Sequence, residues 1–249
     1  MRPHVPLVAP SNYFDRYDRA SMVAPFVPEG DLDDVPEIIR HYKSNNHYGV
    51  TPESHKGLLQ SYYARVSYMD AQVGRVLDAL DELGLSENTI VIFSSDHGYM
   101  LGHHNKYQKQ HLFEEATRVP FILRVPWINK PHGQATQKIT ELVDLYPTIA
   151  ELAGLTPPPD LQGKSLVPLL HDPASDAWKT PFAFSISRSG GESIRSYEWR
   201  YTQWGYGEKG QELFDLKKDP GEFTNLASNP EYAAQVKRLK TQLEVKRLE

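Results

Sequence analysis

The stretch Thr89-Ile90-Val91-Ile92-Phe93-Ser94-Ser95-Asp96-His97-Gly98 decides the fold of this chain. Its first part is β-branched and apolar on both faces, which is typical of a strand buried in a parallel sheet. The polar residues that follow stand where such a strand ends, and open α/β sheets place their ligands at that carboxyl edge. The stretch therefore predicts a buried strand that carries Asp96 and His97 into a candidate site.

A long amphipathic helix is predicted before this strand, from Glu53 to Leu83, with Gly84 at its C-terminal end. A second buried strand is predicted from Val119 to Val125, and helix, loop and strand together indicate an α/β sheet with helical crossovers. We expect the apolar stripe of the helix to be packed core. Its residues are Leu58, Tyr62, Val66, Met69, Val73, Val76, Leu77, Leu80 and Leu83.

The pattern changes in the second half of the chain. A helix is predicted over Ile139 to Leu152, where Pro147 either kinks it or marks its true start. Beyond about residue 180, short alternating segments predict an antiparallel sheet, and a last helix is predicted from Glu231 to Lys246. We therefore divide the chain into residues 1–180, part of an α/β domain, and 181–249, a small antiparallel sheet with a helix. The segments predicted as strands are Phe182 to Ser187, Tyr197 to Trp204 and Glu212 to Leu216, and the residues expected to face inward on the last helix are Ala233, Val236, Leu239 and Leu243.

Composition excludes several classes of protein. The net charge of −5 argues against a dedicated nucleic-acid binder, and no apolar run approaches the ~20 residues that span a bilayer. The absence of cysteine excludes a disulfide scaffold and a cysteine nucleophile. The proline-rich start does not resemble a secretory signal, so we expect a piece of a longer protein and leave the compartment open.

The run from Ser94 to Lys109 holds the chemistry. Gly98 allows a tight backbone after Asp96 and His97, and Lys106 and Lys109 bring positive charge that suits an anion. The alternative is an ordinary turn after a strand with solvated lysines. A second pattern, Gly205-Tyr206-Gly207-Glu208-Lys209-Gly210, fits a dinucleotide fingerprint, but a strand follows it instead of a helix, so we interpret it as a hairpin turn.

Four segments occur in the order found in one enzyme family: Arg2-Pro3-His4-Val5-Pro6-Leu7, the run around Asp96, Leu161 to Leu170, and Glu212 to Leu216 with its downstream Asp-Pro and Asn-Leu pairs. Together they resemble the type I sulfatases of the alkaline phosphatase superfamily, most closely the iduronate-2-sulfatase branch. The resemblance implies the C-terminal half of a sulfatase-like, mostly parallel α/β domain followed by a small antiparallel α+β subdomain.

The resemblance also implies roles for individual residues. Asp96 and His97 match metal-site residues, which would hold Ca²⁺ in a site that is incomplete in this chain; His97 could instead bond the nucleophile or a sulfate oxygen. Lys109 matches the lysine that binds the sulfate group, and His4 matches the histidine offered to the leaving oxygen. His104 could line the substrate mouth, or simply belong to a loop.

The nucleophile of the family is missing. Type I sulfatases use a formylglycine made within a Cys/Ser-x-Pro-x-Arg signature, and this sequence contains neither form. We therefore expect a sulfuric ester hydrolase segment, acting on sulfated sugars or glycosaminoglycans in the full protein and inactive alone. Its partner would be the absent N-terminal half or a second copy. The alternatives are a non-catalytic remnant or binding module, and a phosphodiesterase or phosphomutase of the same superfamily. Family members are usually exported.

Overall fold

The computed structural model describes residues 4–128 and 133–248. Short helices alternate with short strands, and one helix is much longer than the rest. The helices in these ranges are α1 (Ser11–Phe14), α2 (Glu37–Arg40), α3 (Asn45–Tyr48), α4 (Pro52–Glu82), α5 (Glu114–Thr117), α6 (Leu145–Leu152), α7 (Val167–His171) and α8 (Ala233–Leu248). The strands are β1 (Val91–Ser94), β2 (Met100–Leu101), β3 (Tyr107–Gln108), β4 (Phe121–Arg124), β5 (Ala183–Ile186), β6 (Gly191–Arg195), β7 (Trp199–Trp204) and β8 (Gln211–Asp215).

The long helix α4 confirms the predicted helix before the first strand. Thr51 caps its N-terminus, since the Thr51 hydroxyl accepts a hydrogen bond from the backbone N–H of Ser54 at 3.1 Å. The Ser54 hydroxyl in turn accepts from the backbone N–H of Thr51, which completes a capping box. Gly84 follows the helix with φ +67°, a conformation that glycine adopts without steric cost.

The apolar stripe of α4 is not packed core, so that expectation is wrong for this chain. The side chains of α4 that are buried belong to Leu59, Ala64 and Arg65, whereas Val76 is 68% exposed and Leu83 is 71% exposed. Helix α1 covers only one part of α4. The second half of the helix therefore presents an uncovered apolar face. No helix in the described ranges is both long and apolar enough to cross a membrane.

The two strands predicted as buried parallel strands form where expected but pair with each other in antiparallel register, Val91 opposite Arg124 and Ser94 opposite Phe121. The prediction of parallel pairing is wrong for these two strands. The chain returns from β1 to β4 through a loop without a long crossover helix, and parallel neighbours need such a crossover. Burial is also lower than predicted, since Ile122 is 61% exposed.

Helix α6 is shorter than predicted and begins at Leu145, after a single 3₁₀ turn at Leu142–Asp144. Pro147 thus lies in the first turn, where its missing N–H costs nothing, which confirms the second of the two alternatives. Asp144 is buried, and its carboxylate accepts hydrogen bonds from the backbone N–H groups of Glu141 and Lys164 at 2.8 and 2.9 Å. This carboxylate joins the start of α6 to the segment before α7.

The C-terminal sheet confirms the predicted antiparallel arrangement, with strand order β5-β6-β7-β8 and α8 packed on one face. Strand β6 is an addition that the sequence pattern did not reveal. The glycine-rich pattern forms the turn between β7 and β8, as expected. Ala233 is exposed, so the inward-facing side of α8 begins one turn later than predicted. The buried residues of this core are Ile194, Tyr201, Leu213, Ala227, Leu239 and Leu243.

A second core cluster joins the beginning of the chain to this sheet. Val35 and Ile39 pack with Trp204 and Phe214, and the same cluster contains Met100, Leu112, Phe113 and Ala116. Two hydrogen bonds of 2.8 Å support it: the backbone N–H of Asn225 donates to the Asp34 carboxylate, and the Asn225 amide donates to the Asp34 carbonyl. The division into residues 1–180 and 181–249 stays a prediction, and this core contains residues from both ranges.

Candidate functional site

The turn after β1 is fixed by Gly98. Its backbone N–H donates to the carbonyl of Ala116 at 2.9 Å, and a Cβ atom placed at Gly98 would lie 1.9 Å from the carbonyl oxygen of Glu115. No side chain fits this gap, so the position requires glycine. The close backbone contact sets where the two preceding residues, Asp96 and His97, leave the strand.

His97 presents one free ring nitrogen toward Asp96. The His97 Nδ1 atom lies 2.7 Å from the carbonyl oxygen of Gly98 and must donate, because a carbonyl only accepts. In the neutral ring Nε2 then carries the lone pair, and it lies 3.7 Å from Oδ2 of Asp96. The Asp96 carboxylate is exposed, so a nitrogen and an oxygen ligand point to one accessible place. A backbone carbonyl on the far ring nitrogen is the usual support of a metal-binding histidine.

These two residues fit one part of a calcium site. Ca²⁺ takes six to eight ligands, mostly oxygens, and Asp96 with His97 offers at most three donor atoms. Within residues 4–128 and 133–248, no group of three or more His, Cys, Asp or Glu side chains could hold a metal ion. The donor set is therefore compatible with a cation only if other groups complete the coordination.

The structure brings together His4 and Lys109, which are 105 positions apart in the sequence. The Lys109 ammonium lies 3.4 Å from Nε2 of His4, and Nδ1 of His4 donates to the Val5 carbonyl at 2.8 Å. Nε2 is thus the acceptor nitrogen of the ring. The pair is exposed and places a positive charge beside a proton-accepting atom.

A cleft of about 1520 Å³ is lined by three of the predicted residues, Asp96, His97 and Lys109, and His4 contacts one of them, Lys109. One wall is formed by the segment around α5 and by β4, and another by β5 and the residues just after it. Polar and charged groups from separate parts of the chain face the same space, among them Asp96, His97, Lys109, Glu114 and Arg188. The cleft is large enough for a saccharide.

His104 is not brought to this cleft. It is 1% exposed, its Nδ1 atom lies 3.1 Å from the Asp31 carboxylate, and its ring stacks on Phe113 at 4.0 Å between centroids. Lys106 is also buried, and its ammonium donates to the carbonyls of α2 and the residues after it, including Ile39 at 2.6 Å. Burial lowers the pKa of Lys106 to about 8. Both residues stabilise the loop instead of facing the cleft.

Sequence analysis missed two further cations, one of which contacts Lys109 while the other lines the same cleft. Lys43 donates from its ammonium to the backbone carbonyl of Lys109 at 2.6 Å, and Arg188 lines the cleft with Lys109. Neither belongs to a motif, and Lys43 is 66 positions away from Lys109. No sequence signal marks either residue, because only the folded chain brings the segments together.

Glu114 lines the cleft from beneath and pairs with Arg195 and Arg200. Burial raises the pKa of Glu114, but the neighbouring guanidinium groups outweigh it and hold this pKa below its ordinary value. The wall of the cleft therefore contains an ionised, fully paired carboxylate. Such a group is a fixed structural charge and not a proton donor at neutral pH.

The comparisons with known families agree with the resemblance in the sequence. The family described as "Sulfatase" matches residues 1–155, and the family described as "N-sulphoglucosamine sulphohydrolase, C-terminal" matches residues 102–249. Each match covers more than half of the 249 residues. The chain belongs to the sulfatase family.

Individual relatives support the assignment. A "Sulfatase" from Formosa agariphila is 32% identical over 247 residues, which cover 97% of this chain and 48% of that protein. Iduronate 2-sulfatase of Mus musculus is 35% identical over 198 residues, which cover 64% of this chain and 35% of that protein. The chain thus spans about half the length of the first relative, which agrees with the predicted C-terminal portion.

A solved structure confirms the α/β fold class. The phosphonate monoester hydrolase from Silicibacter pomeroyi superposes with a TM-score of 0.88 at 28% identity, covering 100% of this chain and 54% of that one. The resemblance to the alkaline-phosphatase-like fold therefore extends over the whole chain. Fold alone does not choose between sulfate and phosphonate esters, because both chemistries occur on this scaffold.

Proposed function

We propose that this chain supplies the sulfate-binding and leaving-group side of a sulfuric ester hydrolase that acts on sulfated carbohydrates. The observation that carries the proposal is the contact between Nε2 of His4 and the ammonium of Lys109, a residue that lines the cleft. A sulfate ester carries negative oxygens beside the oxygen that departs. A cation and an imidazole in contact match those two needs.

The two residues act on different atoms of the ester. The Lys109 ammonium donates to a non-bridging sulfate oxygen and stabilises its charge. His4 takes up a proton from solvent at Nε2. As the nucleophile, which lies outside this chain, forms its bond to sulfur, the bond from sulfur to the leaving oxygen breaks and His4 gives this proton to that oxygen, while the Val5 carbonyl accepts from Nδ1 and keeps the ring in place. The leaving group then departs as a neutral alcohol.

Asp96 and His97 are proposed to hold one side of a calcium ion, through the Asp96 carboxylate and the free Nε2 of His97. When bound, the ion would stabilise negative charge on the sulfate oxygens. The remaining ligands are proposed to come from water and from the other half of the enzyme, since residues 4–128 and 133–248 contain no group of three or more His, Cys, Asp or Glu side chains that could hold a metal ion. The alternative for His97 is a hydrogen bond from Nε2 to the nucleophile or a sulfate oxygen.

The chain alone is proposed to be inactive. The sequence has no cysteine and no Ser-x-Pro-x-Arg segment, so the residue that becomes formylglycine is not among these 249 residues. Lys109 and His4 can then bind and orient an ester but have no nucleophile to deliver. The proposed partner is the N-terminal half of the enzyme, and self-association is the alternative.

The choice of a sugar sulfate rests on the relatives, among them an iduronate 2-sulfatase. One observation favours a second candidate. The phosphonate monoester hydrolase structure matches the whole chain, so hydrolysis of phosphonate monoesters or phosphodiesters is the competing function. A non-catalytic binding module is the third.

The test is an assay of the purified chain with an activated aryl sulfate, with and without calcium, alone and combined with an N-terminal half that carries the Cys-x-Pro-x-Arg signature. A phosphonate monoester and a phosphodiester are assayed in parallel. We expect no turnover by the chain alone and calcium-dependent sulfate hydrolysis by the combination. Lys109→Met should lower that rate at least a hundredfold, because it removes a charge-stabilising donor.

Lys179→Met serves as the control, since Lys179 is exposed and does not line the cleft. Turnover by the chain alone would contradict the claim that the nucleophile lies elsewhere. A faster reaction with the phosphorus esters would establish the second candidate, and no hydrolysis by any combination would favour the binding module.

A further inference from the structure

The backbone around Lys109 adopts an uncommon conformation. The residues on either side of it, Gln108 and Gln110, have φ values of +68° and +76°, in the left-handed region that favours glycine. A non-glycine residue is strained in this conformation, because its Cβ atom comes too close to the following carbonyl oxygen. Strain of this kind persists only where surrounding contacts impose it, so the loop that carries Lys109 must be held from outside.

The contacts that hold it come from the segment before α3. The Lys43 ammonium donates to the Lys109 carbonyl at 2.6 Å and to Oε1 of Gln110 at 3.3 Å. The hydroxyl of Tyr42 donates to the same Gln110 oxygen at 2.9 Å. The backbone N–H of Tyr107 donates to the Lys43 carbonyl at 3.0 Å, so the two segments are joined on both sides of Lys109.

Lys43 is a half-buried cation with defined partners, and no carboxylate pairs with it among the ion pairs of the described residues. Burial lowers the pKa of Lys43, and the nearby Lys109 ammonium lowers it further. Two ammonium groups in proximity are unfavourable without an anion. They become favourable together when a sulfate oxygen lies between or beside them.

We propose that Lys43 is a positioning residue for sulfate binding: through its bond to the Lys109 carbonyl it holds the Lys109 ammonium against His4. The inference rests on the proposed function for the role of Lys109 and concerns a residue outside every motif in the sequence. Lys43 acts through the Lys109 backbone and need not touch the ester itself.

The experiment uses the full 249-residue chain with ¹⁵N-labelled histidine and follows the Nε2 signal of His4, assigned with a His4→Gln variant. Lys43→Met keeps the length of the side chain and removes its donors, whereas Lys43→Arg keeps donors. We expect the His4 signal to shift in Lys43→Met toward that of a free imidazole and to return in Lys43→Arg. Lys179→Met is the control, because Lys179 is exposed and does not line the cleft, so its removal should leave the His4 signal unchanged.

A second readout measures how inorganic sulfate protects the Lys109 amine from an amine-reactive reagent, located by mass spectrometry. We expect Lys43→Met to weaken this protection about five- to tenfold, the usual net effect of losing one hydrogen bond. Lys43→Arg should stay within about twofold of the parent. If Lys43→Met does not fold, Lys43→Gln, whose amide is too short for both bonds, provides the same comparison.

The outcomes separate the two proposals. A His4 signal that is unchanged in Lys43→Met overturns the positioning role, regardless of whether sulfate protects the Lys109 amine. A signal that shifts as expected, with no sulfate protection of Lys109 in the parent chain, supports positioning and overturns the proposed sulfate site. An equal loss of sulfate protection in Lys43→Met and Lys43→Arg also overturns the inference. The two variants would then share a loss of packing and not the loss of a hydrogen bond.

Discussion

The carboxylate of Glu222 accepts a hydrogen bond from Nε of Arg200 with one oxygen and from the backbone N–H of Glu114, at 2.7 Å, with the other. Arg200 and Glu222 are each about 2% exposed. Arg200 also pairs with the Glu114 side chain at the bottom of the cleft. One buried guanidinium thus connects the C-terminal sheet to the helix that forms the wall of the proposed site.

Removal of this guanidinium should strongly destabilise the folded state. Arg200→Leu leaves Glu222 as a buried carboxylate without its counter-ion, and we expect the free energy of unfolding to fall by about 3–5 kcal/mol. Urea denaturation of the parent and variant at pH 7 measures the change. Arg19→Ala breaks the exposed pair with Glu53 and should cost less than about 1 kcal/mol. Similar losses in both variants would contradict the special role of the buried pair.

Stability should depend on pH through Glu212. Burial raises the pKa of Glu212 from 4.5 to about 7, and the Trp204 indole N–H donates to its carboxylate at 2.8 Å. Between pH 4.5 and 7, Glu212 therefore keeps a proton in the folded state that it has already released in the unfolded state. The contribution of Glu212 to the free energy of unfolding is fully present below pH 4.5, falls as the pH rises through that window and stays low above it.

Glu212→Gln isolates the effect, because the amide oxygen still accepts from Trp204 and the charge is gone. The stability of the variant relative to the parent should rise by roughly 1–3 kcal/mol between pH 5 and pH 8. His111, whose pKa burial lowers to about 3, titrates in the opposite direction but is common to both proteins. A relative stability that does not change with pH would contradict a raised pKa at Glu212.

Gly98 should tolerate no side chain. Gly98→Ala forces a methyl group against the Glu115 carbonyl, so we expect a loss of several kcal/mol in stability and a displaced Asp96–His97 turn. Gly74→Ala is the matched control within α4, where nothing lies within 4 Å of the new methyl group. There the substitution should stabilise by about 0.5–1 kcal/mol. Thermal unfolding followed by circular dichroism compares the two.

The exposed apolar face of α4 should make the isolated chain associate. Val76 and Leu77 are 68% and 38% exposed on a helix that buries little of its stripe. We expect light scattering to show dimers or larger species, and the double variant Val76→Glu and Leu77→Glu to be mostly monomeric. Lys237→Glu on the outer side of α8 should leave association unchanged. A parent chain that stays monomeric at high concentration would count against the half-enzyme proposal.

Local signals in the sequence predicted most of the fold. The apolar spacing of α4 and the Gly84 that follows it, the β-branched run of β1 and the alternation in β7 and β8 depend on neighbours along the chain, and these elements form where they were predicted. Strand β6 was missed because Gly191-Glu192-Ser193-Ile194-Arg195 has only one apolar residue. The direction of β4 was missed because pairing depends on the path of the loop from residue 95 to 120.

The site was predicted less completely. Asp96, His97 and Lys109 stand in one short run, so spacing marked them, whereas His4 was found only through the family resemblance. His104 belongs to the same run but is turned inward by Asp31, a residue 73 positions away. Lys43 reaches the Lys109 carbonyl and Arg188 reaches the same cleft only through the tertiary fold, which no spacing in a single sequence reveals.

The bonds between Asp34 and Asn225 have a consequence for how the protein is made. Their partners are 191 positions apart, and ribosomes add about 5–20 residues per second, so the first segment waits roughly 10–40 s for the second. During that time Val35 and Ile39 lack Trp204 and Phe214, the residues that later cover them. The nascent chain therefore exposes Val35 and Ile39 without these two partners until the segment that contains Trp204 and Phe214 has been synthesised.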